Sequence, residues 1–323
     1  MTNHTLRTLI GLLITCFAAA LPVAATPVLG SAYSSYFTMT DLGAVPGATR
    51  LYGGLTFAAG DNNTLLLGTD GNYSAGAIQS IGVVRDADGH ITGFSGTAAT
   101  VASAVNIDGG LEYGPGGNLF FTQYYMDSIS QLKPGSTSPD ETQAVPTGGS
   151  VGGLNFVPSG IGGAGNLVVT DYQTGEFAII PLTLNGNGTY DMGSPIESEI
   201  LPDVGPEGFV YIPAGTRGFT TPSILVAEFR EGGLASYELD ANGLPILSTR
   251  KVFLTGLPSV ANVSGGPEGL KIDPVTNDIL MTTYDGSEVF RFTAIPAPEP
   301  GTISLMSLAL VLGGLHRFRR KRA

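Results

Sequence analysis

Tryptophan is absent from this 323-residue chain, cysteine occurs once, as Cys16, and histidine three times, as His4, His90 and His316. Cys16 lies in an N-terminal apolar stretch, so the body of the chain has no disulfide, no thiolate metal site and no cysteine nucleophile. His4 and His316 lie at the two ends. A Ser-His-Asp triad or a histidine-based zinc site would have to be built on His90 alone. Basic residues are scarce too. Residues 26–297 hold nine Lys and Arg against 26 Asp and Glu, a net charge of −17. A field of that sign repels nucleic acid, attracts divalent cations and basic partners, and favours solubility. The body shows no long helical period, so no Gly-rich phosphate loop opens a helix.

The two ends carry their own signals. Arg7, an apolar run over residues 9–20 and the small residues Val23, Ala24 and Ala25 have the layout of a signal peptide. Residues 1–25 are expected to be removed by signal peptidase after Ala25. At the other end, Pro298-Glu299-Pro300-Gly301 precedes 14 uncharged residues, 302–315, and then the cations Arg317, Arg319, Arg320, Lys321 and Arg322. The apolar run is short of the ~20 residues needed for a straight bilayer crossing. Gly301 and the long basic stems beyond it extend the span by snorkelling. The basic cluster should stay cytoplasmic, which puts the body outside. The run has no polar stripe at helical spacing beyond Ser304 and Ser307, unlike a core helix. With its three parts in this order, segment 297–323 resembles the PEP-CTERM sorting domain. The resemblance implies a membrane-sorting helix, an exosortase-type membrane transpeptidase as partner, processing at Pro298, Glu299 and Pro300, and delivery to the outer cell surface or extracellular matrix after transient inner-membrane anchoring.

Between the ends, short apolar runs alternate with Gly, Asn, Asp and Pro, the character of an all-β domain over residues 26–296. An opening recurs: Gly53-Gly54-Leu55, Gly109-Gly110-Leu111, Gly152-Gly153-Leu154, Glu207-Gly208-Phe209 and Glu268-Gly269-Leu270. Each is followed by a second, continuously apolar strand, such as Leu119-Phe120-Phe121-Thr122 or Leu167-Val168-Val169-Thr170. Such runs mark strands buried on both faces. A third strand follows. Then several units show a tight turn, as in Asp86-Ala87-Asp88-Gly89, Asn185-Gly186-Asn187-Gly188 and Asp240-Ala241-Asn242-Gly243. Four strands repeated every ~40–60 residues make a β-propeller blade. Five openings give a propeller of five or six four-stranded blades, since a sixth, degenerate blade could lie in the long interval between Gly54 and Gly110 or between Gly208 and Gly269. Residues 36–42 could supply the outer strand that the last unit lacks. The Gly-Leu opening and the second strand at residues 165–171 resemble the NHL-repeat, streptogramin-lyase and gluconolactonase-like propellers.

Inner strands line a propeller's channel, so residues at their start sit at its mouth. There Glu207 and Glu268 replace glycine, and Asp108 and Glu112 flank the second opening. Converging carboxylates make a hard-cation site, with Ca²⁺ as the candidate ion. Gluconolactonase-like propellers hold a catalytic divalent ion at this place, but their ligand pattern does not map here residue by residue. The other reading of Glu207 and Glu268 is that they accept hydrogen bonds from backbone N–H groups in tight Pro-Glu-Gly turns. The turn at residues 86–89 is an ordinary hairpin, since His90 stands where a calcium loop needs its third oxygen ligand and Thr97 where it needs a bidentate Glu. Tyr124, Tyr125 and Tyr172 could either stack on a sugar or cover blade edges.

The sequence thus leads to an exported propeller with a binding or structural role at the cell surface, its ligand a surface polymer or a protein. The alternative is a divalent-metal-dependent hydrolase or lyase, lactonase-like, working at the channel mouth.

Overall fold

The computed structural model describes residues 26–258 and 265–297. The segment expected to be a signal peptide, with Ala25, and the segment expected to be a sorting tail, with Pro298, Glu299, Pro300 and the basic cluster, lie outside the described residues. The described chain folds into five antiparallel sheets arranged as blades, and its only helical elements are two 3₁₀ turns, Pro115–Gly117 and Leu247–Thr249.

Each blade runs outward from an axial strand in simple sequential order. Blade 1 comprises Leu55–Ala58, Asp61–Thr69, Ala77–Arg85 and Ile91–Ser103. Blade 2 comprises Ile107–Tyr113, Leu119–Gln123, Ser128–Leu132 and Glu141–Ala144. Blade 3 comprises Val151–Phe156, Leu167–Asp171, Glu176–Ile180 and Glu197–Ile200. Blade 4 has Pro206–Ile212, Ser223–Glu228, Gly233–Glu238 and Lys251–Thr255, with the short N-terminal strand Val28–Leu29 added outside. Blade 5 has Pro267–Ile272, Ile279–Thr283 and Val289–Ala294 from the C-terminal side and Phe37–Gly43 from the N-terminal side. The N-terminal strand therefore completes the last blade and closes the ring, as the sequence suggested for residues 36–42.

Five blades suffice. The interval after Gly54 holds long outer strands of 9 and 13 residues rather than another blade. The turn at residues 185–188 is not a link between the third and fourth strands. It tips an extra hairpin, Leu182–Leu184 against Tyr190–Met192, inserted into blade 3. The other two tight turns do join third and fourth strands. In each, an Asp carboxylate accepts two backbone N–H groups: Asp86 from Asp88 and His90, Asp240 from Asn242 and Leu244. Gly89 and Gly243 take φ of 89° at the position that needs it.

The core is divided among five apolar slabs, each pressed between neighbouring blades. One, for example, packs Val168, Phe177 and Ile179 of blade 3 on Phe209, Ile224 and Val226 of blade 4. Continuous apolar second strands are what this demands, because each inner blade face meets a neighbour. His90 gains a partner across the seam between blades 1 and 5, where its Nδ1 lies 2.7 Å from Asp278 Oδ2. Beside it, Arg85 forms a two-pronged pair with Asp273, at 2.6 and 3.1 Å.

Candidate metal centre

The channel is pinched shut by the second residue of each opening. A Cβ on Gly54 would meet Leu111 N at 2.6 Å, and one on Gly110 would meet Leu154 N at 2.7 Å. On Gly153 it would meet Glu207 O at 2.3 Å, on Gly208 Glu268 O at 2.5 Å, and on Gly269 Gly54 Cα at 2.7 Å. The five backbones thus touch in a ring, and only glycine fits at such approach. Three of the second strands stitch that ring with threonine. Thr122 Oγ1 accepts Gly110 N–H at 2.9 Å and donates to Gly152 O at 2.6 Å in the next blade. Thr282 does the same between Gly269 N–H and Gly53 O, at 2.9 and 2.6 Å. Thr170 accepts Gly153 N–H and donates to Glu207 O at 3.2 Å.

Just above this waist, where the inner strands begin, Asp108, Glu207 and Glu268 converge. One carboxylate oxygen from each lies within 4.8 Å of the others. The three residues are 1%, 3% and 1% exposed. Among the described residues, Asp108 Oδ2, Glu207 Oε2 and Glu268 Oε2 have no hydrogen-bond partner. The remaining opening positions are glycine, which makes room: a Cβ on Gly109 or Gly152 would stand 2.9 Å from Glu207 Oε2. The expected backbone N–H bonds to Glu207 and Glu268 do not form among the described residues, since the Pro-Glu-Gly segments are strand, not turn.

Burial pushes all three carboxyls well above the usual range. Asp108 and Glu268 raise Glu207 further, and Asp108 raises Glu268. Opposing this, Asn72 and the Gly109 N–H pull Asp108 partly down, and Arg230 does so for Glu207. Three charges this close in a dry site cannot stay ionised alone. They must hold protons or a cation. Orphaned oxygens, the negative charge and the all-oxygen donor set suit a hard divalent ion, whose shell backbone carbonyls and water would complete.

Glu112 does not join them. It sits at the other end of the same inner strand, ion-paired with Lys271.

An aromatic collar surrounds the carboxylates. After four of the second strands the backbone N–H bonds back to the residue just before the inner strand of its blade: Tyr124 to Asn106 O, Tyr172 to Ser150 O, Phe229 to Gly205 O and Tyr284 to Gly266 O. These rings form a chain of edge contacts, Tyr124–Tyr172 at 5.9 Å, Tyr172–Phe229 at 6.0 Å and Phe229–Tyr284 at 6.3 Å. Tyr125 packs on Tyr124 at 4.3 Å, and Arg230 lies 4.6 Å over Tyr172. Burial, the neighbouring phenols and the carboxylates push Tyr124 up to about 12. Burial raises Tyr172 and Tyr284 as well, with Glu207 adding to the first and Glu268 to both. Of the collar, the sequence had pointed to Tyr124, Tyr125 and Tyr172. Phe229 and Tyr284 were missed, although both are the first residue after their second strands, as Tyr124 and Tyr172 are.

The site and strand topology define a five-bladed β-propeller with a buried three-carboxylate centre on its axis. No family model matches the chain, and no curated protein matches it. Solved structures with similar folds include a glutaminyl cyclase from Myxococcus xanthus, with 13% identity, TM-score 0.47, 80% of this chain and 97% of that one. A putative 6-phosphogluconolactonase from Bacteroides uniformis has 14% identity and TM-score 0.42, covering 77% of this chain and 68% of that one. A Lactobacillus plantarum protein has 12% identity and TM-score 0.41, covering 74% of this chain, which spans 66% of its length. At such identities and TM-scores the likeness carries no argument, and it assigns no activity here.

Proposed function

We propose that this chain is an exported β-propeller that acts by binding at the cell surface or in the extracellular matrix, with a Ca²⁺ ion held on its axis as a structural pin. The observation that carries the structural-pin reading is the set of three buried carboxylates with orphaned oxygens beneath the aromatic collar. A cation there would tie blade 2 to blades 4 and 5 through Asp108, Glu207 and Glu268. Export and surface sorting rest on the signal-peptide pattern ending at Ala25 and on the Pro298-Glu299-Pro300 motif with its apolar run and basic end. The hydrolase or lyase alternative uses the same ion but needs a coordination position open to substrate. Ligands only 1–3% exposed speak against one.

Metal analysis of the purified protein together with melting curves tests the reading. One bound divalent ion per chain is expected, and the melting temperature should climb with the logarithm of free Ca²⁺. Absence of both the ion and the shift would remove the structural-pin reading. Lactone hydrolysis that depends on the ion would favour the alternative. Mass spectrometry of surface-released protein should find a new C-terminus near residues 298–301, and recovery of chains ending only at Ala323 would exclude processing.

A further inference from the structure

Where the inner strands end, on the far side of the glycine waist from the carboxylates, the axis opens into a cavity of about 410 Å³. That lies within the ~300–1,000 Å³ of small-molecule sites. Its lining follows the repeat. The residue after the opening leucine or phenylalanine contributes one ring, Thr56, Glu112, Asn155, Val210 and Lys271. The next residue contributes a second, Phe57, Tyr113, Phe156, Tyr211 and Ile272. The first ring carries the polar groups and the second is mostly aromatic.

The Glu112–Lys271 ion pair belongs to the first ring and is 14% and 20% exposed, so it faces the cavity while partly shielded. Its two charges cancel, which favours a neutral ligand over an ion. Both groups keep unused capacity. Lys271 has two N–H bonds left beside the one it donates to Glu112 Oε2, and each Glu112 oxygen keeps a second lone pair, Oε1 already accepting Tyr113 N–H at 2.9 Å. Asn155 is fixed beside them by its bonds to Phe209 O at 2.9 Å and from Phe156 N–H at 2.8 Å. Phe156 is held edge-on to Phe120 at 5.4 Å. A donor and an acceptor side by side, under aromatic walls, suit a molecule with adjacent hydroxyls on one edge and an apolar C–H face on the other. That is the chemistry of a pyranose ring.

We propose that this cavity binds a neutral sugar, with Glu112 accepting from and Lys271 donating to neighbouring hydroxyls, and the aromatic ring stacking on its face. The site is separate from the metal centre and stands or falls without it. The test is calorimetric titration of the full chain with methyl glycosides of glucose, galactose, mannose and N-acetylglucosamine, alongside L-alanine as a zwitterion and cyclohexanol as a ring without a diol. Saturable binding of at least one glycoside is expected, weaker by about tenfold in Lys271→Met and Glu112→Gln, the loss of roughly one good hydrogen bond. Tyr113→Ala should also weaken it. Circular dichroism checks that each variant folds. A crystal of the unaltered chain soaked in the tightest glycoside locates the sugar whether or not the variants fold. No glycoside binding, L-alanine or cyclohexanol binding as tightly as any glycoside, unchanged affinity in folded Lys271→Met and Glu112→Gln, or sugar found elsewhere would each overturn the proposal.

Discussion

Two glutamates that look alike in the sequence, Glu207 and Glu268, are strained by the same cause: a carboxylate taken out of water beside two others. Replacing either by Gln removes a charge that the metal-free fold tolerates poorly. Glu207→Gln and Glu268→Gln should therefore melt at or above the unaltered protein in EDTA, while losing most of its Ca²⁺-dependent rise. A large loss of stability in EDTA would instead mean that the carboxylates hold the fold without metal. The raised carboxyls also fix a pH dependence. Their folded-state pKa values exceed those of the unfolded chain, so the native state holds extra protons from the ordinary value of ~4 upward. Metal-free stability then falls as pH rises through that window. Saturating Ca²⁺ should oppose the trend, because the ion needs the ionised forms. Melting curves at about pH 5 and about pH 8, in EDTA and in Ca²⁺, read both slopes. The Glu207→Gln/Glu268→Gln double variant should flatten them.

Among the strands, what holds one blade to the next at the axis is small: glycine contact and a threonine hydroxyl. Thr282 satisfies Gly269 N–H and Gly53 O at once. Thr282→Val keeps the volume but orphans both buried backbone groups. It should cost about 1–3 kcal/mol in urea unfolding. A cost under a few tenths would mean that water takes the hydroxyl's place. Blade 4 has Ala227 and blade 1 Gly68 at this position. In blade 1 the backbone makes the stitch itself, Gly54 N–H to Asp108 O at 2.7 Å. The recurrent Thr of the second strand is thus a fastening between blades.

As a whole, the molecule is a ring closed by chain ends. Its last seam joins blade 5 to blade 1, where Arg85 grips Asp273, whose side chain is fully buried. Among the described residues, Arg85→Ala leaves that charge with the Val275 N–H and the Thr276 hydroxyl alone. Loss of a buried partner costs about 3–5 kcal/mol. The seam should open first, seen as early hydrogen exchange in strands Phe37–Gly43 and Val289–Ala294 before global unfolding. Uniform exchange across all five blades would show that closure does not depend on this pair.

The repeated openings, the apolar second strands and the closing segment at residues 36–42 were legible in the sequence, because each blade repeats the same local periodicity and turn chemistry. Glu207 and Glu268 were legible for the same reason, as departures from glycine at an axial position. Asp108 was found by its place one residue ahead of the second opening. Glu112 was misjudged because neighbours in sequence part company along a strand: four residues at ~3.3 Å each carry it about 13 Å down the axis, to the opposite mouth. The aromatic collar and the far cavity could not be read off the chain, since each is assembled from residues of four or five blades. Sequence alone determined the strands and the repeating blade, which depend on local pattern, while the closed structure settled the number of blades at five. Only the closed ring decided which side chains share the axis, because convergence there is set by the angle between blades and not by distance along the chain.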